Sequence, residues 1–331
     1  MFPLLIASAL ELATARDESA VALRIGRRTI TYGELDGYSS ALAFALERRG
    51  VGAGDRVATL LDGVESVVAF WAIAKASAVG VALHEDDTSE LAESLREVDA
   101  RALVVDAELA PTFHHAVARA PDLRAVIVRG TAVEATGSAA FVPYETALAE
   151  EDPVSKPPPR RIDFDDAWLE RDDEGERIAL SHRVLLARAA SLAAGIDLSA
   201  TDMVDGAPFA EIVIACALAG ASLRLDDEAT VEGGRNVFVG EADDEAEPGE
   251  TLVRVHRSPR VGPIALLDDG NGPARVLPNV DVRIVDDTGK PAAAKVVGEI
   301  AVRSSSVSGS ADYFRTGDSG MLDDAGALYV L

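Results

Sequence analysis

Between residues 31 and 130 helical and strand-like patterns alternate at short pitch, and that alternation leaves few folds open. Thr31 and Glu34 have the spacing of a capping box, ahead of Leu35, Tyr38, Leu42, Ala45 and Leu46 on one helical face. Asp55–Leu61 reads as a buried strand, Val64–Ala78 as a helix and Val79–Leu83 as a short strand. A helix over Ser89–Val98, a strand over Ala102–Asp106, a helix over Ala110–Ala120 and a strand over Arg124–Val128 follow. Strands that alternate with helices so closely need crossover connections, which implies an α/β fold with a doubly wound, mostly parallel sheet.

The pattern then changes twice. Residues 151–161 (EDPVSKPPPRR) are Pro-rich and read as a linker. Residues 162–225 return to an α/β pattern, and 226–250 are acidic and read as a solvated loop. From Pro278 onward, Val280, Val282 and Ile284 alternate with Asp281 and Arg283, then Asp286–Gly289 make a turn and Val296–Arg303 a returning strand. The expected organisation is a first α/β subdomain over 1–150, the linker, a second, shortened α/β subdomain over 162–275, and a small β-rich subdomain over 276–331.

Composition excludes several functions. The 331 residues are 48% apolar, enough for a sizeable core, and carry a formal charge of −25. A field this negative opposes nucleic acid and anionic membranes as partners. The single cysteine, Cys216, sits in an apolar run; it permits no internal disulfide and fits a reducing, cytoplasmic setting as a buried small side chain. The longest apolar stretch, Val67–Leu83, is broken by Lys75 and Gly80 and is short for a membrane span. The N-terminus lacks the basic region of a signal peptide. Gly50, Gly52 and Gly54 precede a strand instead of following one, so they read as a turn and not as a dinucleotide fingerprint. His114 and His115 are adjacent, which points them apart on a helix. His182 and His256 read as surface or cap residues, and no metal cluster or Ser-His-Asp triad stands out.

Three stretches carry a resemblance. TYGELDGYSSALAFALERRGVGAGDRVATLL (31–61), ALSHRVLLARAASLAAGIDLSATDMV (179–204) and the segment 276–331 resemble, in order, parts of the adenylate-forming enzyme superfamily, the acyl-CoA synthetases and non-ribosomal adenylation domains. The resemblance implies ATP or AMP with Mg²⁺ as cofactors and acid–thiol ligase chemistry through an acyl or aminoacyl adenylate. Tyr313-Phe314-Arg315-Thr316-Gly317-Asp318 looks like the family's Thr-Gly-Asp motif, in which the Asp accepts both ribose hydroxyls. It makes Asp318, Thr316 and Gly317 the candidate ribose and AMP site.

Other family elements are altered. The family's phosphate loop is rich in Ser, Thr and Gly, holds a Lys, and precedes a pair that resembles Ser181-His182. Here that position falls on Leu169–Glu176 (LERDDEGE), where Glu170, Asp172, Asp173, Glu174 and Glu176 face only Arg171. Like charges about 4 Å apart repel by roughly 4 kcal/mol at an effective dielectric near 20, so this loop opposes a triphosphate. Residues 253–263 (VRVHRSPRVGP) lack the family's aromatic-Gly-x-Thr-Glu motif. Glu211, in Pro208-Phe209-Ala210-Glu211, stands near the His of the family's Pro-x-x-His segment. The family's small lid domain, with its hinge Arg and catalytic Lys, has no counterpart among these residues.

The expectation is therefore a catalytically impaired member with no catalytic residue of its own. It would serve as an accessory or scaffold subunit, with an active homologous ligase, a carrier protein or a pathway enzyme as partner. A carboxylic-acid adenylating ligase with a lid supplied in trans, and an adenylate-binding sensor, are the alternatives.

Overall fold

The computed structural model describes residues 5–83, 91–120, 122–130, 139–149, 165–172, 175–206, 209–226, 234–240, 244–245, 249–268, 272–304 and 312–331. The chain forms two compact units. One comprises Met1–Ala20, Ile30–Glu170 and Ala179–His182; the other comprises Val21–Thr29, Arg171–Ile178 and Arg183–Leu331.

The first unit is built on a seven-stranded sheet. Its spatial order is Ala140–Pro143, Ala125–Arg129, Ala100–Asp106, Arg56–Leu60, Val79–Ala82, Asp166–Arg171 and Arg177–Ser181. The first six strands run parallel. Strand Arg56–Leu60 lies between the two strands that follow it in the chain, so the winding reverses there, as expected of a doubly wound sheet. The middles of the central strands, such as Leu103–Val105 and Ala125–Val128, are apolar and buried, as expected of a parallel sheet. Leu60, Val81, Leu91, Leu95, Leu103, Val105, Phe113 and Val126 form one buried cluster.

Helix Tyr32–Arg48 starts at the expected capping box. Thr31 Oγ1 accepts from the Glu34 amide at 3.2 Å, and Glu34 Oε2 accepts from the Thr31 amide at 2.9 Å. Helix Gly63–Lys75 packs beside it, with Val67, Phe70, Trp71 and Ile73 buried. The expected strands and helices of residues 55–128 are all present, with ends shifted by a few residues.

The second unit holds an eight-stranded sheet in the order Arg275–Val276, Gly262–Leu266, Glu250–Ser258, Asn236–Gly240, Met203–Gly206, Ser222–Arg224, Val21–Ile25 and Arg28–Thr31. Its centre is parallel, and the end formed by residues 250–276 is antiparallel. Beside it lies a four-stranded antiparallel sheet of Val280–Val285, Gly298–Ser304, Phe314–Leu322 and Leu328–Val330. Ile284, Ile300, Val302 and Leu328 from this sheet pack with Val261 and Ile264. The α/β fold with a small β-rich C-terminal part is thus present.

The sheets also depart from the sequence reading. Strands Asp166–Arg171 and Arg177–Ser181 join the first sheet, although residues 162–275 read as one subdomain. Hairpin residues Val21–Thr31, which carry no distinctive pattern, close the far edge of the second sheet. The Pro-rich stretch 151–161 lies outside the described residues, as does part of the acidic segment 226–250. Within that segment Asn236–Gly240 is not a solvated loop but a strand inside the second sheet, because Val237 and Val239 alternate into its core. Among the described residues, no helix is long and apolar enough to cross a membrane.

Candidate functional site

Thr316, Gly317 and Asp318 form a bulge. Strand Phe314–Leu322 pairs Arg315 with Ala301 and Ser319 with Glu299, so the three residues between stand opposite Ile300 alone. Such a bulge bends the strand and re-aims a side chain. Gly317 adopts φ +88°, a backbone conformation that favours glycine, with open space where a Cβ would sit. Thr316 Oγ1 donates to the Ile300 carbonyl at 3.0 Å and accepts from the Asp318 amide at 3.1 Å. The Gly317 amide donates to Glu299 Oε1 at 3.0 Å, and Arg315 Nε donates to Glu299 Oε2 at 2.6 Å. Those Arg315 bonds hold the Glu299 carboxyl below its ordinary range. Thr316 and Glu299 therefore fix the bulge, and the Asp318 carboxylate takes no part in holding it.

That carboxylate has one neighbour among the described charged groups. His256 Nε2 lies 3.3 Å from Asp318 Oδ2; the Asp318 side chain is 41% exposed and the His256 side chain 12%. His256 is thus largely buried, not the surface residue that the sequence suggested. Burial lowers its pKa, and the charge of Asp318 offsets part of that effect. His256 comes from strand Glu250–Ser258, at a register shift against Gly262–Leu266. No local pattern ties it to Asp318, because the juxtaposition is made by two strands distant in sequence.

The acidic segment at the expected phosphate-loop position is a closed turn. The Asp172 amide donates to the Glu176 carbonyl at 2.8 Å, and the Gly175 amide to the Asp172 carbonyl at 2.9 Å. Asp172 Oδ1 accepts from the Glu176 amide at 2.8 Å, and Arg171 Nη1 donates to the Gly175 carbonyl at 2.8 Å. Asp172 Oδ2 also accepts from Arg260 Nη2 at 2.7 Å, and only 5% of the Asp172 side chain is exposed. The amides of Gly175 and Glu176, which could face an anion in an open nest, are spent inside the turn. Asp173 and Glu174 lie outside the described residues.

Residues 253–263 run as strand, turn and strand, and Arg188 holds the turn. Its Nη2 donates to the carbonyls of Pro259 and Arg260 at 3.1 and 2.9 Å. Its Nη1 lies 3.3 Å from Glu211 Oε1, and both side chains are fully buried. A Cβ at Gly262 would come within 2.5 Å of the Arg188 side chain, so glycine there gives the guanidinium its passage. Glu211, which the resemblance placed near the family's His, is accordingly one half of a buried ion pair.

Two more expectations meet the structure. Cys216 is buried, and burial pushes its thiol up to about 12, which suits a packing role. His182 is also fully buried, not superficial; its Nδ1 accepts from the Ile6 amide at 3.4 Å. Among the described residues no group of three or more His, Cys, Asp or Glu is placed to hold a metal ion.

Comparison with known proteins bears on this arrangement. Residues 10–169 match the family model described as AMP-binding enzyme. Over 107 residues, 32% of this chain, it is 33% identical to a 3-hydroxybenzoate–CoA ligase of Aromatoleum sp. (strain CIB). The matched segments span 20% or less of the curated relatives' own lengths. A putative long-chain-fatty-acid CoA ligase from Rhodopseudomonas palustris superposes with TM-score 0.81 at 18% identity, covering 99% of both chains. The anthranilate CoA ligase AuaEII, solved with anthranoyl-AMP, gives TM-score 0.83 at 18% identity over 99% of this chain and 78% of its own. At such identity the two structures establish the fold, and the family match over residues 10–169 adds the sequence relationship. Together they give the chain the fold of the adenylate-forming enzymes, with residues 10–169 similar in sequence to the AMP-binding enzyme family and a 107-residue stretch similar to an acyl-CoA ligase.

Proposed function

We propose that this protein is a catalytically impaired member of the superfamily that acts by binding, as an accessory subunit in a cytoplasmic biosynthetic pathway. The observation that carries the proposal is the closed acidic turn Asp172–Glu176, in which Asp172 takes the Glu176 amide and the Arg260 guanidinium. A phosphate there would find the amides of Gly175 and Glu176 already bonded and no lysine in the turn. An active homologous ligase, a carrier protein or a neighbouring pathway enzyme is the class of partner such a scaffold serves. An ATP–pyrophosphate exchange assay across a broad panel of carboxylic acids should give no exchange above background. Exchange that depends on a particular acid would replace this reading with that of a working ligase.

One observation favours a second reading, an adenylate-binding sensor. The bulge at Thr316–Asp318 is held by Thr316 and Glu299, which leaves the part-exposed Asp318 carboxylate available to accept two hydroxyls. A site with a ribose acceptor and no phosphate cradle would hold AMP or an adenylate without turning it over.

A further inference from the structure

The Asp318 carboxylate is not alone in its site. His256 approaches it at 3.3 Å from another strand, yet Nε2 makes no hydrogen bond of good geometry. A buried imidazole nitrogen without such a bond costs free energy, and the nearest remedy is a charge-assisted contact with Asp318. Little else competes for it. The flanking strands Asn236–Gly240 and Gly262–Leu266 contain no charged residue. Arg254, two positions away on its own strand, donates to the Asp244 carbonyl, while Arg315 and Glu299 on the bulge pair with each other. Asp318 is thus the carboxylate that sets the protonation of His256, and His256 the cation that can occupy Asp318.

Resting on the second reading above, we propose that His256 is the positioning residue of Asp318: protonated, it ties the carboxylate down, and neutral, it releases it to a ribose cis-diol. Burial favours the neutral imidazole, so the carboxylate is free near neutral pH and becomes occupied as the medium turns acidic. The sign follows from competition. A ligand that needs the free carboxylate loses affinity as His256 takes up its proton.

Adenosine is the suitable probe, because it carries the diol without a phosphate that titrates in the same range. Calorimetry from pH 8 to pH 5 should show wild-type affinity falling by about tenfold, the effect of roughly one unit of coupled titration. His256→Gln should bind adenosine with an affinity flat across that range, and 2′-deoxyadenosine should bind neither form well. Parallel decline in wild type and His256→Gln would overturn the proposal. NMR of the imidazole gives a readout that needs no ligand. Asp318→Asn should move the His256 midpoint to lower pH by at least about half a unit, since it removes the charge that stabilises the imidazolium. An unmoved midpoint refutes the pairing. If adenosine binds at no pH while the midpoint does move, the ribose reading fails and the pairing stands as a structural contact.

Discussion

Lys75 is a charged residue in one of the most apolar stretches of the chain, and its side chain is 2% exposed. Its ammonium meets the Asp36 carbonyl and Oδ1 at 2.7 Å, Ser39 Oγ at 2.8 Å and Ser40 Oγ at 2.9 Å. An ammonium has three protons, so these four acceptors satisfy it fully and clip helix Gly63–Lys75 to helix Tyr32–Arg48. Lys75→Met would leave the Asp36 carboxylate buried beside an apolar side chain. The expected loss in urea unfolding is about 3–5 kcal/mol, and adding Asp36→Leu should restore most of it. A loss below about 1 kcal/mol would mean that the contact is wet and weak. The sequence showed Lys75 only as an interruption in a hydrophobic run, because its partners lie on another helix. Thr316, Gly317 and Asp318 were singled out by their resemblance to a family motif, and they lie together in one bulge with Gly317 at positive φ. His256, whose role depends on a strand partner, had no such signal.

At the scale of elements, periodicity and capping carried most of the information. The Thr31–Glu34 box and the apolar face of helix Tyr32–Arg48 are local, and they appear where the spacing places them. What the sequence did not convey was which edge each strand would join. Strand Asp166–Arg171 docks on Val79–Ala82 with Trp168 opposite Gly80, and the indole lies over the glycine. A Cβ at Gly80 would sit 2.0 Å from the Trp168 ring, so the absent side chain is what lets this strand lie flat on the sheet. Gly80→Ala should therefore destabilise the first unit by about 1–3 kcal/mol through overpacking. Its effect should vanish in a Trp168→Leu background if the ring is the cause. An equal loss in both backgrounds would assign it to backbone strain instead. A small residue paired with a large one across two strands is visible only once the register is known.

For the whole molecule, the order of its elements matches the fold of the adenylate-forming enzymes. The molecule has parallel winding, a bulge at Thr316–Asp318 and a small antiparallel sheet. The residues that the resemblance aligned with the phosphate loop and with the Pro-x-x-His segment include Asp172, bonded to the Glu176 amide, and Glu211, buried against Arg188. The acidic character of the first was plain from composition. The second was not, because Arg188 and Glu211 lie on different helices and look like ordinary surface charges in isolation. Under the proposed function, phosphates gain nothing from this protein. Calorimetric titration with AMP and with ATP plus Mg²⁺, on the same preparation, tests it most directly. ATP should bind no more tightly than AMP, and Asp172→Ser should leave the AMP affinity unchanged. ATP binding tenfold or more tighter than AMP in the wild type, with loss of that preference in Asp172→Ser, would contradict it.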